Sequence, residues 1–356
     1  MTPWRWQDPC LLAIVGLFGC LLPRCQPKPS ETAPPSVPPA PSTTLAEAVS
    51  PDAGPPSPEP AAPAPALPAW SVAEFKPPFE KTGKAGDGQW TAISEIEQDK
   101  DAPYLLKSLV HPNSYKKWVY AVIVAIDMAR VRTTLVAGTH EPTSDKVDKA
   151  QRPGLIPTID LGALLAVFNG GFQAKHGRFG MRLGTQSFVG PRAGMCTVVL
   201  DNTGTVKVGP WERFATHEAE LTSWRQTPPC LIADGTPHPD LGHKTRSRKW
   251  GRSIKKEPEI RRTALGTNGD GRTLFFALGD WIDPKALALA MASAGATQAA
   301  ELDINWSYTR FLYFSPDENG QLKVSQTLVP ELEYHDRGYV KRPSYRDFFY
   351  ITRREP

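Results

Sequence analysis

A carboxylate, a guanidinium and a glycine pair, far apart along the chain, are the groups best suited to chemistry. Asp303 closes an apolar run from Ala299 to Ile304, at the carboxyl end of a strand, where α/β sheets tend to place reactive groups. Such an Asp serves equally as a turn acceptor or a helix cap. Arg262, beside Arg261, reads by itself as a solvated charge. Asn169-Gly170-Gly171 reads locally as a turn after a strand. His176 follows in the same loop and either reaches a site or stays at the surface. Residues 244–262 carry nine basic side chains against two acidic ones, Glu257 and Glu259. They form either a basic flap that attracts an anionic ligand or a solvated insertion. Asn268-Gly-Asp-Gly271 lacks the Lys-Ser/Thr of a phosphate loop and is read as a hairpin turn. No CxxC, HExxH or Cys/His cluster occurs, which argues against a structural zinc site.

The elements that must position these groups are mostly strands. Trp118 to Met128 is a Val- and Ile-rich run that predicts a buried strand. Arg132 to Val136 predicts another, and Gly162 to Phe168 a third leading into Asn169. Met195–Leu200 and Thr205–Val208 flank Asp201-Asn-Thr-Gly204, a hairpin signal, as Thr263–Thr267 and Thr273–Leu278 flank the second turn. The best helix runs from Pro284 to Ala294, with Asp283 as cap and Gly295 as stop. With the strand that follows it forms a βαβ unit. The expected fold is α+β, a strand-rich mixed sheet with few helices.

Four segments in register carry a family resemblance: Val167-Phe-Asn-Gly-Gly-Phe172, Pro229-Cys-Leu-Ile-Ala-Asp-Gly235, Arg262-Thr-Ala-Leu-Gly266 and Gly295 to Asp303. Together they resemble the phosphodiester glycosidase family of the uncovering-enzyme type, which removes N-acetylglucosamine from a sugar phosphodiester. The resemblance covers roughly residues 90–351. It implies that Asp303 acts at the anomeric carbon as nucleophile, base or cation stabiliser, and that Arg262 grips the phosphate in a bidentate fork. A departing phosphate monoester is already a stable anion, so little help from a general acid is needed. Asn169 and Ser307 would orient hydroxyls or phosphate. Gly170, Gly171, Thr263, Asp280, Asn305 and Trp306 would line the substrate. The family's Asp-Gly-Gly-Gly-Ser loop has become Asp303-Ile-Asn-Trp-Ser307 here, and a second Asp-Gly has become Asp280-Trp281. The loop must therefore take another shape, which leaves altered substrate preference or lost catalysis open. The expected partner is a phosphorylated or acidic glycan. The alternative is an inactive glycan- or phosphate-binding envelope protein of the same fold. No cofactor is indicated, although Asp280 and Glu301 leave room for a calcium ion near Asp303.

The remainder of the chain bears on location. Arg5 precedes an apolar run, Cys10 to Leu22, of about 13 residues, shorter than the roughly 20 that span a bilayer but right for a signal core. Leu17-Phe-Gly-Cys20 is similar to a lipobox, which makes Cys20 the expected lipidation site and the membrane a partner through that anchor. Residues 26–69 are almost wholly Pro, Ala, Ser and Thr, a composition that cannot repay its ordering entropy. The expected organisation is a lipoprotein-like leader over 1–25, a disordered linker over 26–69 and one domain over 70–356, exported to the cell envelope. Cys196 and Cys230 either pair or stay free. A net charge of +4, with no basic repeat or recognition helix, excludes a nucleic-acid partner.

Overall fold

The computed structural model describes residues 69–99 and 101–354. The leader, Cys20 and nearly all of the linker lie outside the described residues. Three antiparallel sheets and few helices build the fold, the strand-rich α+β class expected from the sequence. The largest sheet has eight strands. At its centre Tyr120–Asp127 pairs with Thr273–Ile282, that strand with Ile260–Thr267, and Ile260–Thr267 with Gln298–Glu301. Two five-stranded sheets complete the fold, one of them containing Leu164–Asn169 beside Phe348–Arg353.

The apolar runs explain why the large sheet is covered on both faces. Side chains alternate along a strand. Val124 and Ile126, with Leu274, Phe276 and Leu278, join a core shared with Phe168, Met181 and Val198 of the smaller sheets. Their neighbours Ile123, Ala125, Phe275 and Ala277 pack instead against Leu287 and Met291 of the helix. That helix spans Pro284–Ser293, and the Asp283 side chain accepts a hydrogen bond from the Ala286 amide at 2.7 Å. The βαβ unit has an extra strand between its two strands. Thr273–Ile282 and Gln298–Glu301 both pair with Ile260–Thr267, so they run parallel without touching, and every paired neighbour in the sheet is antiparallel.

Arg262 is the clearest departure from expectation. It is fully buried on the Ile260–Thr267 strand, next to a register irregularity between Ile260 and Arg262. Its Nη1 donates to Glu301 Oε1 and to the Trp250 carbonyl, both at 2.6 Å. Nη2 donates to the carbonyls of Gly251 (3.1 Å) and Pro258 (2.8 Å), and Nε to that of Ile282 (3.0 Å). A guanidinium has five N–H donors, and here the protein's own oxygens take them. Arg262 therefore does not face a ligand, and the phosphate grip assigned to it is corrected to a structural role. It moors both ends of the 251–258 segment to the sheet. Burial pushes the Glu301 carboxyl up to about 7, against the opposing pull of Arg262.

Cys196 and Cys230, 34 residues apart, form a disulfide, settling the choice that the sequence left open. It ties the Cys196–Leu200 strand to the loop before Ile232–Ala233.

Two stability outcomes are expected. Arg262→Ala leaves Glu301 buried without its partner and should lower the unfolding free energy by about 3–5 kcal/mol; unchanged denaturant midpoints would show that the guanidinium is not structural. Replacing both cysteines by Ser should cost about 2–4 kcal/mol, read as a lower melting temperature that reductant does not lower further.

Candidate functional site

Asp303 is held from three sides. Its amide donates to the Gly170 carbonyl at 3.0 Å. Its carbonyl accepts from Thr263 Oγ1 at 2.9 Å, and Thr263 Oγ1 accepts in turn from Asn169 Nδ2 at 2.9 Å. The expected residues Asn169, Gly170, Thr263 and Asp303 thus meet in one hydrogen-bonded chain that joins the ends of two sheets. Asn169 is buried, and its Oδ1 accepts from the Arg310 amide at 3.1 Å. It fixes backbone and does not orient a ligand.

The glycine pair has a spatial cause. Neither Gly170 nor Gly171 has positive φ, so no left-handed turn demands them. A Cβ on Gly170 would lie 2.2 Å from Asp347 Oδ2, and one on Gly171 2.8 Å from Arg225 Cζ. Arg225 and Asp347 form a completely buried ion pair at 2.9 Å, and the Gly171 amide donates to Asp347 Oδ2 at 2.8 Å. Only glycine lets the chain lie this close to that pair.

The Asp303 carboxylate sits at the base of a cavity of about 790 Å³. Oδ1 accepts from the amides of Ile304 (2.8 Å) and Asn305 (3.1 Å), and Oδ2 binds Arg346 Nη1. Burial raises its pKa above the ordinary carboxylate value and Asp347 adds to this, whereas Arg346 and the Asn305 amide oppose the shift. The outcome is a carboxyl group that takes up a proton more readily than a solvated one.

The walls divide by chemistry. Phe172, Phe179, Trp281 and Trp306 supply aromatic surface, and His176 stands among them. Lys175, Arg248, Lys249, Arg252 and Arg261 make the lining cationic. Of these, Lys249 is paired with Asp240 and Arg261 with Asp280. Lys175 and Arg248 are exposed, and neither side chain has an ion-pair or hydrogen-bond partner among the described residues. The 244–262 stretch therefore does form one wall of the cavity, with Glu257 and Glu259 as its acidic members.

The turn that follows Asp303 contains no glycine. Residues 302 to 308 contain no positive φ; the chain turns through hydrogen bonds from the Tyr308 and Thr309 amides to the Asn305 carbonyl, at 2.8 and 2.9 Å. Asn305 and Trp306 face the cavity. The Trp306 ring lies 3.4 Å from Arg261 Cζ, and Asp280 grips the far side of that guanidinium at 2.6 and 2.9 Å. Asp280 thus sets the wall rather than lining it. Trp281 has a left-handed backbone that glycine would favour, φ 54°; the residue is 61% exposed and lines the cavity. Ser307 is not brought to the Asp303 cavity and lines a neighbouring hollow.

Sequence reasoning missed Arg346 and its neighbour Asp347. Arg346 lies 43 residues beyond Asp303 and precedes the last strand, with no motif to mark it. Asp280 and Glu301 bind different arginines and do not converge on a cation. Among the described residues no group of three or more His, Cys, Asp or Glu is arranged to hold a metal ion.

No family model matches this chain, and no curated protein matches it. Solved structures do resemble it in fold. The zebrafish N-acetylglucosamine-1-phosphodiester alpha-N-acetylglucosaminidase catalytic domain, auto-inhibited by its pro-peptide, aligns at 13% identity and a TM-score of 0.44, over 75% of this chain and 88% of that one. A hypothetical protein from Synechocystis aligns at 12% identity and a TM-score of 0.38, over 70% of this chain and 62% of that one.

Proposed function

We propose that this chain is an exported hydrolase that cleaves sugar phosphodiesters, or related acidic glycans of the cell envelope, in the cavity above Asp303. The observation that carries the reading is the buried Asp303 carboxylate at the base of a cavity whose rim holds aromatic rings and unpaired cations. Breaking the bond between an anomeric carbon and a phosphate oxygen develops positive charge on the sugar ring. A carboxylate beneath that carbon stabilises the charge, and its removal from bulk water strengthens the effect. The bonding pair leaves with the phosphate oxygen as a monoester anion; water supplies the hydroxyl that replaces it, and the water's other proton passes to the monoester or to solvent. Lys175 and Arg248, not Arg262, are the side chains placed to hold the phosphate. Arg346 is a positioning residue: it keeps the Asp303 carboxylate oriented and limits its pKa. The disulfide fits an oxidising compartment. Lipidation at Cys20 and a tether over 26–69 complete the proposal, with the membrane as the attachment surface.

The same geometry serves a binding protein that never turns over, and the altered 303–307 loop is the feature that favours that second reading.

Sugar release from a chromogenic sugar-1-phosphodiester separates the two. Turnover is expected, and Asp303→Asn, which keeps an oxygen for the Ile304 and Asn305 amides, should lower kcat by at least about a thousandfold, roughly 4 kcal/mol of barrier. Saturable, salt-sensitive binding without turnover in the unaltered protein would overturn the enzyme. If Asp303→Asn fails to fold, a Lys175→Ala, Arg248→Ala double variant should raise KM while leaving the melting temperature in place.

A pH profile gives an independent reading. Because burial raises the Asp303 pKa, the acid limb of kcat/KM should lie above the ordinary value of 3.8, with activity lost as pH falls through it. Arg346→Gln removes the cation that holds the pKa down, so the limb should move to still higher pH. A limb that stays put would mean that a different group controls the rate.

A further inference from the structure

Among the described residues the exposed large aromatic side chains are Tyr115, Trp118, Trp281, Trp306, Tyr334 and Tyr345, and the last four of them line two neighbouring hollows. Trp281 and Trp306 line the cavity over Asp303. Tyr334 and Tyr345 line a second hollow of about 320 Å³. One turn separates the two: Asn305 and Trp306 face the first, while Ser307 and Tyr308 face the second.

Two guanidinium groups join the hollows. Arg346 binds Asp303, and its Cζ lies 3.8 Å from the centre of the Tyr308 ring, so the second hollow begins one side chain away from the carboxylate. Arg261 lies against Trp306, and its Nη1 reaches the Glu331 carbonyl at 3.4 Å, on the segment that leads to Tyr334. The second hollow also carries charge. Arg342 is exposed and its side chain has no ion-pair or hydrogen-bond partner among the described residues; His335 and Arg310 line the same hollow, with Glu333 as its one carboxylate.

Exposed rings of this size are held out of a core only at a cost in apolar surface left in water. Flat rings interleaved with cations suit a ligand that has C–H faces, hydroxyl edges and negative charge at intervals. A small diester fills the first hollow and gives the second nothing to do. We propose that the second hollow is an outer subsite for an acidic polysaccharide. The chain runs from the Asp303 cavity across the 305–308 turn onto Tyr334 and Tyr345, and Arg342 meets one of its anionic groups. This inference rests on the reading that the Asp303 cavity takes the reacting sugar, and it makes the substrate an extended chain.

The test is titration calorimetry on the full-length Asp303→Asn protein, which removes turnover, with oligogalacturonates of two lengths as the probe, a disaccharide and a long oligomer. The long oligomer should bind at least about tenfold more tightly, 1.4 kcal/mol. Tyr334→Ala in the same background should remove that advantage and leave disaccharide affinity as it was. Tyr334 is 46% exposed and belongs to no buried core cluster, so the substitution leaves the core intact. Arg342→Ala should reduce the salt dependence for the long oligomer alone. Equal affinity at both lengths overturns the outer subsite while leaving the Asp303 cavity its ligand. A length advantage that survives both substitutions overturns it too. Loss of the disaccharide alone, with the long oligomer still held through Tyr334, supports the outer subsite and sinks only the inner one. Absence of binding at either length overturns the outer subsite, while the Asp303 reading stands or falls on turnover of the sugar-1-phosphodiester.

Discussion

A guanidinium shut away from water must find an oxygen for each of its donors or destabilise the protein that buries it. Arg262 meets that demand with Glu301 and with carbonyls on both ends of the 251–258 segment. The consequence reaches beyond one residue. The segment becomes a fixed wall, and the cavity over Asp303 owes one side to it. The same device recurs around the site. Arg225 with Asp347 sets the path of Gly170 and Gly171, Arg346 orients Asp303, and Arg261 with Asp280 supports Trp306. The walls of the cavity are thereby fixed to the sheets by buried and half-buried charge pairs.

Local patterns were legible in the sequence because their causes are local. The Val- and Ile-rich run around Tyr120–Asp127 alternates between two cores, and a strand buried on both faces leaves that unbroken signature. Asp283 before Pro284 announced its helix through hydrogen bonding within a few residues. The resemblance brought forward Asn169, Thr263 and Asp303, and these do meet. Their roles were harder to read. Asn169 and Thr263 spend their polar groups on backbone and on each other, and burial, which decides between gripping a ligand and supporting a wall, is set by residues far along the chain. Arg262 was misread for that reason. Arg346 was invisible for a related one: a single Arg before a strand carries no spacing that ties it to Asp303.

The turn after Asp303 holds the carboxylate with its own amides, those of Ile304 and Asn305, and presents Asn305 and Trp306 to the cavity. Ile304 makes a close contact with the flap, since a Cβ on Gly251 would lie 2.4 Å from Ile304 Cδ1. The turn therefore packs against the wall that Arg262 moors, and its side chains add ring surface and hydrophobic area beside fixed charges.

Trp281 adds ring surface at a cost of its own. A bulky side chain at φ 54° stores backbone strain that glycine would release, on the order of 1 kcal/mol or more. Its indole packs into no core and so recovers little of that penalty in the empty protein. Thermal robustness and ligand recognition consequently pull in opposite directions at this position. A variant selected purely for heat resistance would be drawn toward the smaller residue, and a broadened, less discriminating site would be the by-product.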